Sequence, residues 1–341
     1  MMVSDQLVRV ELRDPRWTDF VARQPEASFY NHPEWTQLVA DCYGYSAFVL
    51  GFTDEHGALT AGVPVVEVKG LFGQRRWISL PFTDYCPLLS RDAELVSALV
   101  DASRSARVKV VELRAELAEH PGVQRQVVGI RHRLTLGPDA DAIHQGFSRM
   151  HRRNIRTAMS AGVTMRRGTS SADIDTFYAL HLRTRHRQGV PIQPRRFFDL
   201  LAVVLQRGHG FVSTASWHGV PIASALFLAW NGVIINKYAA SDERYWKYCA
   251  NNLLTWTEIS WACANGYRMF DWGRIDADQL GLRQFKRGWG ATEEPVSFSY
   301  IGGRPQTLKS SNLQDALAVI IRRSEPWVCR VLGEVLYRYA A

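Results

Sequence analysis

The stretch LRQFKRGWGATEE, residues 282–294, sets Lys286 directly after Phe285, between Arg283 and Arg287 and just ahead of a Gly-Trp-Gly turn. A lysine so placed has two uses. On a surface helix the cations would serve solubility alone. In a catalyst the ammonium would meet negative charge developing on a reacting oxygen.

A second concentration of chemistry is FSRMHRRNIRTAMSAG, residues 147–162. On a helix Arg149, Arg152, Arg153 and Arg156 share one side, with Phe147, Ile155, Ala158 and Met159 roughly opposite. No acidic residue lies within the stretch to pair them. Guanidinium forks match phosphate oxygens, so phosphate contact is the expected use and a solvated basic face the alternative. Arg183, Arg185, Arg187, Arg195 and Arg196 extend the basic character through residues 131–196. A groove there would suit a nucleotide or a tRNA acceptor stem.

Two further segments bear on chemistry. In SLPFTDYCPLL, Asp84 stands in a loop straight after a strand, with Tyr85 beside it. Such strand ends often carry functional carboxylates, although a turn aspartate bonding its own backbone looks the same in sequence. In VIINKYAASDERYWKYCANNLLTW, residues 233–256, Lys237 and Tyr238 end a strand that leads through a loop to a helix. Acetyl-CoA-using enzymes of the GNAT class place a glycine-rich pyrophosphate cradle at such a junction. The loop SDERYWKYCANN holds no glycine, so a close backbone approach to pyrophosphate is not expected.

The elements that must position these residues alternate. The first half reads as the strand VRVEL, the helix PEWTQLVADC opened by Pro33, and two strands joined at His56-Gly57. The strand RRWISLPF, a helix near 91–105, the strand KVVELRAE and QVVGIRHRLTLG complete it. The second half repeats the plan. Ser170 with Asp173 predicts a capping box for ADIDTFYALHLRTRHRQ, which Gly189 would stop. PRRFFDLLAVVLQ, three strands with a hairpin signal at Asn231-Gly232, the helix NNLLTWTEISWACAN and the strand YRMFDWG follow. The His-Gly turns at His56 and His218 are 162 residues apart, which suggests a duplicated α/β module. The tail LQDALAVIIRRSEPWVCRVLGEVLYRYAA predicts a helix interrupted at Pro326 and packed on its own domain.

Composition narrows the classes. The 341 residues are 46% hydrophobic and 22% charged, enough for two cores and too apolar for a disordered chain. No apolar run approaches the roughly 20 residues of a membrane span, and the N-terminal stretch shows no apolar signal region. The five cysteines are scattered without metal-ligand spacing, which suits reduced thiols in a cytoplasm and no metal. A net charge of +8 favours a polyanionic partner.

RRNIRTAMSAGV, YAASD, NNLLTWTEISWACANGYRMFDWG and GLRQFKRGWGA resemble the Fem-type (FemABX-like) peptidyltransferases. The resemblance covers most of residues 147–300 and, more loosely through FYNHPEW and LPFTDY, residues 29–90. It implies an α/β (α+β) fold of two tandem GNAT-like domains, mixed sheets flanked by helices. The domains would be residues 1–145 and 146–301, with residues 302–341 folding back onto the first. It also implies transfer of an amino acid from aminoacyl-tRNA to the amine of a peptide acceptor, without a cofactor. Phe285 and Lys286 match the family's catalytic pair, Asp84 a carboxylate of the first domain, and Tyr238 a cleft tyrosine. Tyr85, Arg152, Arg153, Arg156, Arg195, Arg196 and Arg287 are the candidate substrate-binding residues.

The expected partners are the acceptor end of an aminoacyl-tRNA and a peptide or nucleotide-linked peptide acceptor, with no stable membrane insertion. No heptad arm like that of some members is present. Compact relatives occur in peptide natural-product pathways, so the acceptor is read as a peptidoglycan precursor or a peptide intermediate. The alternatives are an acyl-CoA-dependent N-acyltransferase on the same fold and a non-catalytic protein binding RNA or a membrane surface.

Overall fold

A computed structural model describes residues 6–69, 73–90, 95–304 and 311–337. Its elements begin with β1 (Gln6–Val10), α1 (Pro15–Ala22), α2 (Pro33–Tyr43), β2 (Ser46–Thr53), β3 (Leu59–Lys69), β4 (Arg75–Ile78), α3 (Leu95–Ser105) and β5 (Val110–Leu113). There follow β6 (Val123–Thr135), α4 (Ala140–Gln145), α5 (Arg149–Ser160), β7 (Thr164–Gly168), α6 (Ser171–Gln188) and α7 (Arg195–Val204). The chain continues with β8 (Gly210–Trp217), β9 (Val220–Trp230), β10 (Val233–Ser241), α8 (Ala250–Ala264), β11 (Met269–Ile275) and α9 (Leu280–Arg287). It closes with β12 (Thr292–Ile301), α10 (Ser311–Arg323) and α11 (Pro326–Leu336).

Two compact units result. One holds the described residues up to Ile130 and those from Pro295 through the end of β12; the other holds Arg131–Glu294 together with α10 and α11. The strand order is β1-β2-β3-β4-β5-β12 in the first and β6-β11-β10-β9-β8-β7 in the second. The same module occurs twice. Each has a strand, two helices, three antiparallel strands, a helix and a parallel strand, the parallel pairs being β4–β5 and β10–β11. These are mixed sheets flanked by helices, as the sequence implies.

Local chemistry explains the element ends. The Ser170–Asp173 capping box is present, and Gly189 adopts φ 72° to close α6. The β8–β9 and β9–β10 hairpins turn at His218-Gly219 and Asn231-Gly232, all four residues with positive φ, as a two-residue hairpin requires. The first core packs Phe48, Leu50 and Val63 against Leu95 and Leu99 of α3; the second packs Phe211, Phe227 and Phe270 against Ile259 and Ala262 of α8.

Two sequence expectations need correction. The helix pair α10–α11 does not fold onto the first unit but seats on α6 of the second. Arg322 donates to the carbonyl of Gln188 at 3.0 Å, His186 to that of Ser324 at 2.7 Å, and Cys329 to that of Val190 at 3.4 Å. The first satisfies a carbonyl that the end of α6 leaves open, and the second does the same for the residue after α10. Gly333 permits the approach, since a Cβ there would lie 1.8 Å from the carbonyl oxygen of Ile192. The boundary between units falls at residue 130 rather than 145. Arg131, His132 and Arg133 of β6 are tied by their side chains to Asp271, Glu293 and Glu294.

No helix among the described residues is long and apolar enough to cross a membrane.

Candidate active site

Lys286 lies near the end of α9 and is buried, with only 6% of its surface exposed. Its Nζ donates to the carbonyl of Trp272 on β11 at 2.9 Å. An ammonium withdrawn from water is costly unless hydrogen-bonded, so this carbonyl is part of what holds it there. One turn earlier on α9, Arg283 grips Glu293 with Nε and Nη2 at 3.0 and 2.9 Å. His132 of β6, with no exposed surface, shares the same carboxylate at 3.0 Å. The Arg283 fork holds the Glu293 carboxyl down at about 2, and burial keeps His132 below the usual imidazole range. Glu293 therefore docks the helix that carries Lys286.

Phe285, the preceding residue, is half-buried and meets two rings edge-on: His151 at 4.9 Å between centroids and Trp289 at 6.0 Å. It lines a cleft of about 220 Å³ together with Asn154 of α5, Asp242, Trp246, and Asn251 and Asn252 of α8. The cleft opens where the chain passes from β10 into α8. In place of glycine, Cys249 takes the left-handed conformation there, at φ 53°, and α8 has no side-chain cap. Arg183 and Arg244 bind Asp242, and Arg244 leads in holding its carboxyl at about 2. The exposed side of α5 presents Arg149, Arg153 and Arg156, while Arg152 is half-buried and donates to the carbonyl of Gln145 at 3.2 Å.

Residues 145–287 match the family described as acetyltransferase (GNAT) domain. Among solved structures, the crystal structure of FemX superposes with a TM-score of 0.71 at 13% identity, over 92% of this chain and 100% of that one. A tandem GNAT protein from the clavulanic acid biosynthesis pathway gives 0.55 at 11% identity, over 89% and 100%. This chain has the tandem GNAT-like fold. L-PGS from Bacillus licheniformis shares it more distantly, at a TM-score of 0.53 and 13% identity over 86% and 98%. No sequence among curated proteins matches the chain.

In the tandem GNAT-like fold the nominated residues fall as follows. Lys286, Phe285, Arg152, Arg153, Arg156, Tyr238 and Arg287 belong to the second unit; Asp84 and Tyr85 belong to the first. Tyr238 is half-buried on β10, where its hydroxyl accepts from Gln193 at 2.9 Å among Phe177, His181 and Phe198. Arg287 and Arg196 are exposed. Arg195 already serves two carboxylates, Asp175 at 2.6 Å and Asp199 at 2.8 Å, a use that competes with the expected phosphate contact. Asp84 accepts from the hydroxyl of Tyr30 at 3.0 Å. Its loop is strained, with Leu80 and Phe82 at φ 68° and 60° on either side of Pro81. Strain of that kind gathers at functional loops. Tyr85 packs at the Val110–Phe298 cluster.

The sequence reading misses His151, Asn252, Glu293 and His132. It also sets Met159 on the apolar side of α5, whereas Met159 is 61% exposed. The buried stripe is His151, Ile155 and Ala158. Its spacing of four and three was visible, but histidine between arginines reads as another cation.

Proposed function

We propose that this chain is an aminoacyltransferase that takes an amino acid from the ester of an aminoacyl-tRNA and joins it to the amine of a peptide acceptor. The observation that carries the reading is the buried Lys286 ammonium, next in the chain to Phe285, which lines a cleft whose entry loop has no glycine. The resemblance of these residues to the Fem-type pair supplies the donor class.

In the proposed reaction a neutral amine attacks the ester carbonyl. The new C–N bond forms first, giving a tetrahedral oxyanion; the C–O bond to the ribose then breaks as the carbonyl re-forms, and the amine's proton passes to the departing oxygen. Lys286 would face the oxyanion of the tetrahedral intermediate, a contact whose loss typically costs about 10²–10³ in rate. Phe285 would stack on the terminal adenosine. The arginines of α5 would bind phosphates of the acceptor end, giving affinity that falls steeply with salt.

The test is transfer of radiolabel from aminoacyl-tRNA to peptide acceptors, both a peptidoglycan precursor and a short peptide with a free N-terminus. Label moving with wild type and largely lost with Lys286→Ala supports the reading; no transfer from any charged tRNA rejects it. A second reading, acyl-CoA-dependent N-acylation, is favoured by the GNAT family match over residues 145–287. Calorimetric binding of CoA would promote it.

A further inference from the structure

One buried side chain joins the cleft wall to the catalytic pair. His151 lies in the first turn of α5 with no exposed surface, stacked on Trp289 at 4.2 Å and 13°. Its Nε2 is 2.8 Å from the carbonyl oxygen of Phe285, and its Nδ1 is 2.7 Å from Nδ2 of Asn252. A carbonyl can only accept, so Nε2 carries the hydrogen and the bare Nδ1 accepts from the carboxamide. Asn154 in turn donates to Oδ1 of Asn252 at 3.4 Å.

That carbonyl needs an outside donor. Helix α9 ends at Arg287, and the N–H of Trp289, which would close the next turn onto Phe285, goes instead to Lys286 at 3.1 Å. The C-terminal carbonyls of a helix are open unless something caps them. His151 caps the one belonging to Phe285. The fit is close, for a Cβ on Gly288 would lie 2.6 Å from Nε2.

We infer that His151 is a positioning residue. It fixes the turn of α9 that carries Lys286 and couples that turn, through Asn252, to the wall of the cleft. Asn154, Asn252 and Phe285 all line the cleft, so its occupant can touch both ends of the chain of donors. Such chains polarise along their length. This inference rests on the aminoacyl-transfer reading for its kinetic test and on geometry alone for its labelling test.

Two substitutions separate positioning from packing. His151→Phe keeps a ring for the Trp289 stack and removes the donor. His151→Gln restores an N–H near the position of Nε2. With both variants folded, His151→Phe is expected to lower kcat about 10²-fold, as small misplacements of a catalytic group do. KM for aminoacyl-tRNA should stay within about twofold, and His151→Gln should recover most of the rate. Equal kcat in His151→Phe and wild type, or no better rate with His151→Gln than with His151→Phe, overturns the inference.

Acetic anhydride labelling of Lys286, read by peptide mass spectrometry, works without turnover. More labelling in His151→Phe than in wild type and His151→Gln supports the inference, and equal labelling in all three overturns it. A wild type that transfers nothing from tRNA rejects the functional reading and leaves the labelling to decide this one. Should His151→Phe fail to fold, Asn252→Ala takes its place. It leaves the ring and removes the donor to Nδ1; a lower kcat supports the inference and an unchanged one overturns it.

Discussion

Nζ of Lys286 lies 2.9 Å from the carbonyl oxygen of Trp272, joining the end of α9 to β11 through a buried cation. Burial of an ammonium lowers stability relative to an apolar side chain of similar volume. Lys286→Met is therefore expected to reduce transfer about 10²–10³-fold while leaving the melting temperature equal or higher. A lower melting temperature, measured by calorimetry beside the transfer assay, would make the lysine a structural residue.

Glu293 gives a pH signature. Its carboxyl is held at about 2 by Arg283 against an ordinary 4.5. The unfolded chain thus binds more protons between these values, and stability falls as the pH drops through that window. Above it the contribution is complete. Glu293→Gln should flatten this part of the stability curve relative to wild type; identical slopes in acid denaturation would contradict it.

Gly288→Ala tests the space around His151. The added methyl would press on Nε2 at 2.6 Å and on Oγ of Ser148 at 3.1 Å. Gly288 itself has φ −62°, so the backbone poses no obstacle. Crowding should cost about 1–3 kcal/mol in urea unfolding. Wild-type stability would mean that the ring yields freely.

In Gly333→Ala two effects oppose each other. Alanine gains about 1 kcal/mol over glycine inside a helix. Against this, the Cβ would meet the carbonyl of Ile192 at 1.8 Å. Crowding of backbone costs more than the propensity returns, so α11 should lift from its seat. Hydrogen exchange within α11 would rise; protection equal to wild type would show that the helix shifts without loss.

Asp84→Asn keeps an acceptor for the hydroxyl of Tyr30 and removes the charge. Transfer should fall at unchanged melting temperature if Asp84 orients the acceptor amine. Unchanged turnover would assign Asp84 to holding its loop.

Much of the fold was legible because its signals are local. Ser170, Asp173 and Gly189 mark both ends of α6, and Asn231-Gly232 marks a hairpin, without reference to anything distant. Strand β12 was not, for Glu293, Glu294 and Pro295 interrupt its apolar pattern. Two of those three are counter-ions to Arg133, His132 and Arg283, partners that only the fold supplies. The site divides the same way. Lys286 and Phe285 stand out by motif. His151 and Asn252, 101 residues apart, acquire meaning only once α5 and α8 meet. The seat of α11 depends likewise on a glycine facing a carbonyl in another segment.

Both units are discontinuous in the chain. The first needs β12, whose Val296 and Phe298 pack with Val110, and the second needs α10 and α11. During synthesis neither can close when its main segment leaves the ribosome. The segments 295–304 and 311–337 complete the two units. Closure of each unit should then wait for its returning segment, and until that segment emerges the nascent chain is the form most exposed to aggregation.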